Sequence, residues 1–274
     1  MQANMKISFI GGGNMAQALI GGLAGKLTAA ANIHVVDVND DALNLLAQRH
    51  GVTTSNLPGA AVAAADVIVL AVKPQQMREV VAQLQPLVKQ QLILSIAAGI
   101  RASDLSRWLQ GHTAIVRTMP NTPALVGMGI TGMVAMKGVS DAQQAMADAI
   151  LSAVGATVWL KDESQIDAVT AISGSGPAYV FYFMEAMQNA AVELGLSAEQ
   201  GRALAQATFA GATELAVRSE ETLETLRDRV TSKGGTTFAA LASMEASGMG
   251  HAIVKALHAA AARGKEMGEE FGRD

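Results

Sequence analysis

Residues 9–16 read Phe-Ile-Gly-Gly-Gly-Asn-Met-Ala, an apolar stretch that runs into the pattern Gly-x-Gly-x-x-Ala. In this pattern the first glycine permits a tight turn, and the second lets a pyrophosphate approach the backbone. The small Ala16 lets the following helix pack against the strand, and the first N–H groups of that helix are free to bind phosphate. The stretch therefore predicts a dinucleotide-binding βαβ unit, with a plain glycine turn as the alternative.

The sequence on either side of this glycine loop favours an α/β fold. Helical patterns occur at residues 14–24 and 40–49, after Pro74 and near Ser103. Strand patterns alternate with them at residues 6–10, 33–36, 66–72, 92–96, 114–118 and 157–160, and the last of these is expected to end the sheet. Because the strand patterns are almost continuously apolar, we expect a parallel sheet with helices on both faces.

The second half of the sequence changes character, since only helical patterns follow Asp162. We therefore predict a Rossmann-type dinucleotide-binding domain at residues 1–161 and an all-helical domain at residues 162–274. Residues 140–143 (Ser-Asp-Ala-Gln) and 197–200 (Ser-Ala-Glu-Gln) predict capping boxes at helix starts. A helix predicted at about 177–194 is apolar around most of its circumference. In so small a domain, a second subunit is the expected cover for it.

The composition excludes several classes of function. Half of the 274 residues are hydrophobic and 16% are charged, as in globular proteins. The net charge of −4 and the lack of a Lys/Arg stripe argue against a nucleic-acid partner. The chain has no cysteine, which excludes disulfides and thiolate catalysis. We see no signal-peptide pattern, and polar residues within 178–196 argue against a membrane span, so we expect a cytoplasmic protein.

The choice of nicotinamide cofactor depends on Asp37, which follows the second strand pattern. An acidic residue there usually binds the ribose 2′-hydroxyl of NAD and repels a 2′-phosphate. No Lys or Arg lies between Asp37 and Leu46, so the residues alone favour NADH. Asn56 could bond the ribose or the phosphate, and Asp37 could instead cap the following turn.

Three further segments are candidates for the site. Lys73, in Ala-Val-Lys-Pro-Gln at 71–75, could neutralise phosphate or position the nicotinamide ribose, or be an ordinary loop lysine. The two prolines of Arg-Thr-Met-Pro-Asn-Thr-Pro at 117–123 predict a rigid loop that could line the nicotinamide site. Arg117 could instead be purely structural, paired with a carboxylate. Residues 229–237 (Arg-Val-Thr-Ser-Lys-Gly-Gly-Thr-Thr) offer N–H groups and hydroxyls suited to a carboxylate, or form an ordinary turn with a threonine cap.

Metal chemistry is not expected. His251, Lys255 and His258 lie near one face of a predicted helix, but a zinc site would need a third ligand and an open position.

Together with Ser-Gly-Ser-Gly-Pro-Ala-Tyr at 173–179, these segments resemble the pyrroline-5-carboxylate reductase family over essentially the whole chain. The specific segment is Val-Thr-Ser-Lys-Gly-Gly-Thr-Thr at 230–237. The resemblance implies a nucleotide-binding domain, an all-helical dimerisation domain, and homodimers that can assemble into rings. It also implies reduction of 1-pyrroline-5-carboxylate to L-proline with NADPH or NADH, the last step of proline biosynthesis.

By motif match, the resemblance implies two sets of site residues. The cofactor would contact Ile10, Gly11, Gly12, Gly13, Asn14, Met15, Asn56, Ala71, Val72, Lys73, Pro74, Ile96, Ala97 and Ala98. The substrate would contact Glu220, Thr236 and Thr237, with Ser232 nearby. We further expect the segment Gly234-Gly235-Thr236-Thr237 to bind the substrate carboxylate, and the Thr237 hydroxyl to bond the ring nitrogen.

The sequence departs from the family pattern at two places. Lys233 stands where the family usually has proline, which predicts a less rigid loop. Residues 37–39 (Asp-Val-Asn) stand where many relatives carry Ser or Asn and a basic residue. This departure puts the family's usual preference for NADP over NAD in doubt for this chain.

The sequence argues against two rival functions. A β-hydroxy-acid dehydrogenase would need a lysine that residues 173–179 lack, and a non-enzymatic nicotinamide-binding sensor would have no reason to keep Lys-Gly-Gly-Thr-Thr at 233–237.

Overall fold

In this computed structural model, which describes residues 4–273, the chain forms two compact units. The sheet unit runs to Ser175 and resumes at Ala260, and the helical unit is Gly176–Ala259. Contacts thus group residues 162–175 and the C-terminal segment with the sheet, whereas the sequence pattern places both in the helical domain. The domain division after residue 161 stays a prediction based on the change of pattern.

Eight strands form one sheet in the order β3-β2-β1-β4-β5-β6-β7-β8. They are β1 (Ile7–Ile10), β2 (Ile33–Val36), β3 (Thr53–Ser55), β4 (Val67–Leu70), β5 (Leu92–Ser95), β6 (Ile115–Met119), β7 (Gly129–Ala135) and β8 (Gly155–Trp159). The first six follow the Rossmann order, in which the chain direction across the sheet reverses beside β1. The predicted α/β class and the Rossmann-type domain are confirmed.

Twelve α-helices are present among residues 4–273. Those of the sheet unit are α1 (Asn14–Leu23), α2 (Asp40–His50), α3 (Ala60–Ala63), α4 (Met77–Leu84), α5 (Ala102–Trp108), α6 (Asp141–Ser152) and α7 (Gln165–Val169). The others are α8 (Gly176–Glu193), α9 (Ala198–Arg218), α10 (Leu223–Arg229), α11 (Thr236–Ala246) and α12 (Met249–Phe271). Both predicted capping boxes are present, at the starts of α6 and α9.

The prediction of a wholly parallel sheet is wrong at one pair, because β7 runs antiparallel to β6. The sequence patterns do not predict β7, whose seven residues include Gly129 and Gly132, or the three-residue β3. Glycine weakens a strand pattern, but Gly132 is required here because a Cβ would lie 2.7 Å from Val169. The strand expected at 157–160 does end the sheet, as β8.

The core consists of two layers, one on each face of the sheet. Alternate residues of a strand enter opposite layers, as Phe9 and Ile10 do at the end of β1. One layer is completed by α1, α2 and α6, and the other by α3, α4 and α5. Each fully buried Leu or Ile contributes about 1.5–3 kcal/mol relative to an exposed one. This double layer holds the strand ends, and the loops that follow them, in fixed positions.

The helical unit leaves much apolar surface uncovered. None of the described residues of α8 is buried in the single chain, and Phe181 and Tyr182 are 64% and 75% exposed. An apolar groove of about 650 Å³ lies between α8, the end of α11 and the first half of α12. Within residues 4–273 no helix has the length and hydropathy that a membrane crossing requires.

His34 joins β2 to the edge strand β3 through both ring nitrogens. Its Nδ1 lies 2.8 Å from the Thr53 hydroxyl, and its Nε2 lies 2.9 Å from the Ser55 hydroxyl. Burial lowers the pKa of His34 below 6.5. The folded state therefore favours the neutral ring, and that stabilisation is present above pH 6.5 and is lost as the pH falls through the folded-state pKa.

We accordingly expect the free energy of unfolding to fall between about pH 7.5 and about pH 5, and less so in a His34→Gln variant. Urea unfolding at both pH values measures this. His251→Gln, at an exposed position, is the control that should keep the wild-type pH dependence. An equal dependence in His34→Gln and wild type would contradict the assignment.

Candidate active site

The carboxyl ends of four neighbouring strands meet at one edge of the sheet. The N–H of Gly11 donates to the Val36 carbonyl at 2.8 Å, and the N–H of Ala71 donates to the Ile10 carbonyl at 2.8 Å. One strand further, the N–H of Ile96 donates to Leu70 at 3.2 Å. The loops that follow β1, β2, β4 and β5 are therefore side by side, at the position where open α/β sheets bind ligands.

The glycine loop between β1 and α1 is shaped by close backbone packing. Gly11 has φ +104°, and a Cβ there would lie 2.7 Å from the carbonyl oxygen of Ala71. Gly13, by contrast, is the N-cap of α1 with open space around it and no side-chain cap. The first N–H groups of α1 therefore have no intrahelical acceptor, and groups of this kind suit a diphosphate.

This geometry makes Gly11→Ala a disruptive change. A side chain at its left-handed φ costs about 1–3 kcal/mol, and the contact with Ala71 adds to that cost. We expect a lower melting temperature and weaker nicotinamide-cofactor binding, measured by thermal unfolding and by quenching of protein fluorescence. Gly13→Ala, at φ −68° and in open space, is the matched control for stability and should melt close to wild type. Equal melting temperatures for both variants would be inconsistent with this packing.

Asp37 holds the glycine loop as well as its own turn. Its Oδ2 accepts the Gly12 N–H at 2.6 Å, and its Oδ1 accepts the Asn39 N–H at 2.9 Å. The alternative that Asp37 caps the following turn is thus confirmed. The Asp37 carboxylate lies at the end of β2, beside the glycine loop. Asn56 follows β3 and donates to Asp40 Oδ1 at 2.6 Å, so it lies at the same corner.

The loops after β4 and β5 differ in what they expose. Lys73 is exposed, whereas Ala71, Val72 and Pro74 are half-buried. Ile96 and Ala98 are also half-buried. Of the predicted cofactor residues, Ile10 and Ala97 have side chains buried in the core, so only their backbone is available to a ligand.

The loop after β6 is fixed by two residues whose roles the sequence left open or missed. Arg117 is buried and its Nη1 lies 2.9 Å from Glu163 Oε1, which confirms the structural alternative. Burial raises the pKa of Asp167, whose Oδ1 lies 3.9 Å from the other end of the guanidinium. Asn121 accepts the Ile130 N–H at 2.9 Å and donates to the Ser173 carbonyl at 3.2 Å. The signal that could have found Asn121 was its place between two prolines.

In the helical unit, residues 232–237 form an exposed turn that leads into α11. Gly234 has φ +71°, and a Cβ on Gly235 would lie 2.6 Å from the Ser232 hydroxyl oxygen. Helix α11 begins at Thr236 with Gly235 as its N-cap and no side-chain cap, so the alternative of an ordinary turn with a threonine cap is wrong. The first N–H groups of α11 are left without an intrahelical acceptor. Across the part of the chain that the structure describes, the Thr236 and Thr237 hydroxyls have no hydrogen-bond partner.

Glu220 lies in the same unit, in the connection between α9 and α10. It is exposed, whereas its neighbour Glu221 is held by Arg229 at 2.5 Å. Glu220 is thus left without the structural pairing that occupies Glu221.

Comparisons with known proteins agree with this arrangement. Residues 163–267 match the family model described as pyrroline-5-carboxylate reductase dimerisation, and residues 6–99 match NADP oxidoreductase coenzyme F420-dependent. The pyrroline-5-carboxylate reductase of Pseudomonas aeruginosa is 47% identical over 98% of this chain and 98% of its own length.

This chain belongs to the pyrroline-5-carboxylate reductase family.

Solved structures of the family superpose closely on the chain. The Coxiella burnetii reductase has a TM-score of 0.90 at 39% identity and covers 96% of this chain and 98% of its own. The Plasmodium falciparum enzyme, solved with NADP bound, has a TM-score of 0.88 at 30% identity over 98% and 100% of the two chains. Family membership rejects the β-hydroxy-acid dehydrogenase and the sensor as rivals, and it confirms the expectation of an NAD(P)H-dependent oxidoreductase.

The residues present fit a nicotinamide dinucleotide, because the exposed amides of α1 and the carboxylate of Asp37 match its diphosphate and ribose. No three His, Asp or Glu side chains converge on a metal position anywhere in residues 4–273.

Proposed function

We propose that this chain catalyses hydride transfer from NAD(P)H to the imine carbon of 1-pyrroline-5-carboxylate, which yields L-proline. Relatives that align over nearly the full chain are named pyrroline-5-carboxylate reductase. The observation that carries the residue assignment is the turn at 232–237, where free amides and two unpaired hydroxyls stand together at the start of α11.

The substrate carboxylate binds the turn of Gly234, Gly235, Thr236 and Thr237. Backbone N–H groups at a helix start carry partial positive charge and suit an anion. Ser232 lies against Gly235 and sets the shape of the turn. Glu220, exposed and without the pairing that holds Glu221, contacts the ring of the substrate.

The reaction itself needs little chemistry from the protein. A protonated imine is already electrophilic, so the chain must orient it, exclude water and fix its carboxylate. The Thr237 hydroxyl bonds the ring nitrogen and steadies it as that nitrogen gains a lone pair on hydride addition. The bound cofactor supplies the hydride, and the exposed amides of α1 and the loops at 71–74 and 96–98 hold it.

A second copy of this chain covers the apolar face of α8. The uncovered aromatic side chains and the groove beside them need an apolar partner. Residues 163–267 match a dimerisation domain, which supports a homodimer. A ring of dimers and a cytoplasmic location remain further predictions from the sequence.

The decisive experiment mixes the purified protein with reduced cofactor and the imine, and follows the loss of reduced-nicotinamide absorbance and the formation of proline. We expect imine-dependent oxidation with one proline formed for each cofactor consumed. A folded, cofactor-binding protein that shows no such turnover would overturn the function. Light scattering under assay conditions should show a dimer or larger, and an active monomer would overturn the dimer proposal.

A further inference from the structure

Glycines occupy every fourth position at the C-terminal end of α12 and just after it, and all three contact other parts of the sheet unit. Gly264 and Gly268 are buried. A Cβ on Gly264 would lie 3.4 Å from Asp167 Oδ1, and one on Gly272 would overlap Asp104 Oδ2. Since residues four apart share one face of a helix, this face has no side chains, and the helix backbone itself contacts the sheet unit.

Three arginines bind the carbonyl groups at this helix end. Arg101 Nη2 donates to the Gly268 carbonyl at 2.6 Å, and Arg107 Nη2 donates to the Gly272 carbonyl at 2.6 Å. Arg78 adds a longer bond to Arg273 at 3.4 Å. The Gly268 carbonyl also accepts the Gly272 N–H at 3.2 Å. The carbonyls at a helix end carry partial negative charge, so guanidinium groups stabilise them.

A buried carboxylate orients two of these arginines. Asp104 lies 3.0 Å from Arg101 Nε and 3.1 Å from Arg107 Nη1, and its side chain is only 5% exposed. The arginines are therefore held in position by α5 and not only by the helix end that they bind.

The same helix end packs against the loop that follows β5. A Cβ on Gly99 would lie 2.9 Å from Met267 Cβ and 3.3 Å from Phe271 Cδ2, and Gly99 has φ +72°. Phe271 packs against the core layer that contains Ala97 and Ile100. Gly99 comes directly after residues 96–98, so α12 contacts the residue next to the segment that we assign to cofactor binding.

We propose that the last turns of α12 position the loop 96–100 for the nicotinamide cofactor, with Arg101 as a positioning residue. The proposal rests on the proposed function only in placing the cofactor at residues 96–98. Arg101 begins the segment that follows the loop and also binds α12, so it ties the loop to the helix. Without this tie the binding-competent form of the loop is populated less, and apparent cofactor affinity falls by the same fraction.

The test compares three variants of the full-length protein. Arg101→Met removes the bonds to Gly268 and Asp104 but keeps the length of the side chain, and Phe271→Ala removes the apolar contact. Arg263→Met is the matched control, because Arg263 lies on the same helix and pairs with Glu266 and Glu270 away from the loop. Hydrogen–deuterium exchange of the peptide covering 96–101 and NADH affinity from nicotinamide fluorescence are measured without substrate.

We expect both test variants to speed exchange at 96–101 and to raise the dissociation constant of NADH by about fivefold, with exchange in β2 unchanged. Arg263→Met should match wild type in both. Unaltered exchange at 96–101 and unaltered affinity in folded Arg101→Met and Phe271→Ala, even with a lower melting temperature, would make the helix end merely structural. Neither readout uses the imine, so the test does not depend on the proposed reaction. If the proposed reaction is wrong, wild-type protein will bind NADH but show no turnover of the imine.

Discussion

Thr237→Ala is expected to lower kcat with 1-pyrroline-5-carboxylate by about 10²-fold, the effect of one lost transition-state hydrogen bond. The hydroxyl has no partner among residues 4–273, so its removal breaks no internal bond and should leave folding unchanged. Because the bond to the ring nitrogen strengthens as hydride arrives, kcat should fall more than the cofactor KM changes. Steady-state kinetics with saturating cofactor measure the effect.

Two variants control for the loss of a methyl or a hydroxyl in this turn. Thr237→Ser keeps the hydroxyl and should recover most of the activity. Thr231→Ala should behave like wild type, because the Thr231 hydroxyl is already used by the Arg227 carbonyl at 2.7 Å. Unchanged kinetics in Thr237→Ala would remove Thr237 from the reaction.

Cofactor selectivity is the second large effect, and we propose that it favours NADH. The corner that would receive a 2′-phosphate holds Asp37 together with Asp40 and Asp41 in the first turn of α2. No Lys or Arg occurs from residue 37 to residue 48. We expect kcat/KM with NADH to exceed that with NADPH by about tenfold or more, since each ~1.4 kcal/mol of repulsion is a factor of ten.

Asp37→Asn should narrow that ratio, because it removes the charge while its oxygen can still accept the Gly12 N–H. The matched control is Asp41→Asn, which removes one exposed carboxylate from the same turn without touching the glycine loop. Parallel kinetics with the two reduced cofactors measure both. A wild-type preference for NADPH, or an Asp37→Asn ratio equal to that of wild type, would contradict the proposal.

Local features were predictable because their signals lie in adjacent residues. Both capping boxes depend on contacts within three residues, and the glycine loop is recognised from the spacing of its glycines, although distant residues hold it in place. Strand β7 was not predictable, because its central glycine is explained only by Val169, far along the chain. The C-terminal residues were assigned to the helical domain since their pattern is helical, although their contacts are with the sheet unit.

The sequence by itself determined the fold class, the family and the candidate cofactor loop, because periodicity and backbone-restricted glycines act over short distances. Only the tertiary structure decided that Asp37 binds Gly12, that Arg117 is structural, and that α12 ends against Gly99. Each of those contacts joins residues far apart in the chain, and a side chain's partner depends on which distant backbone the packed core brings within hydrogen-bond reach.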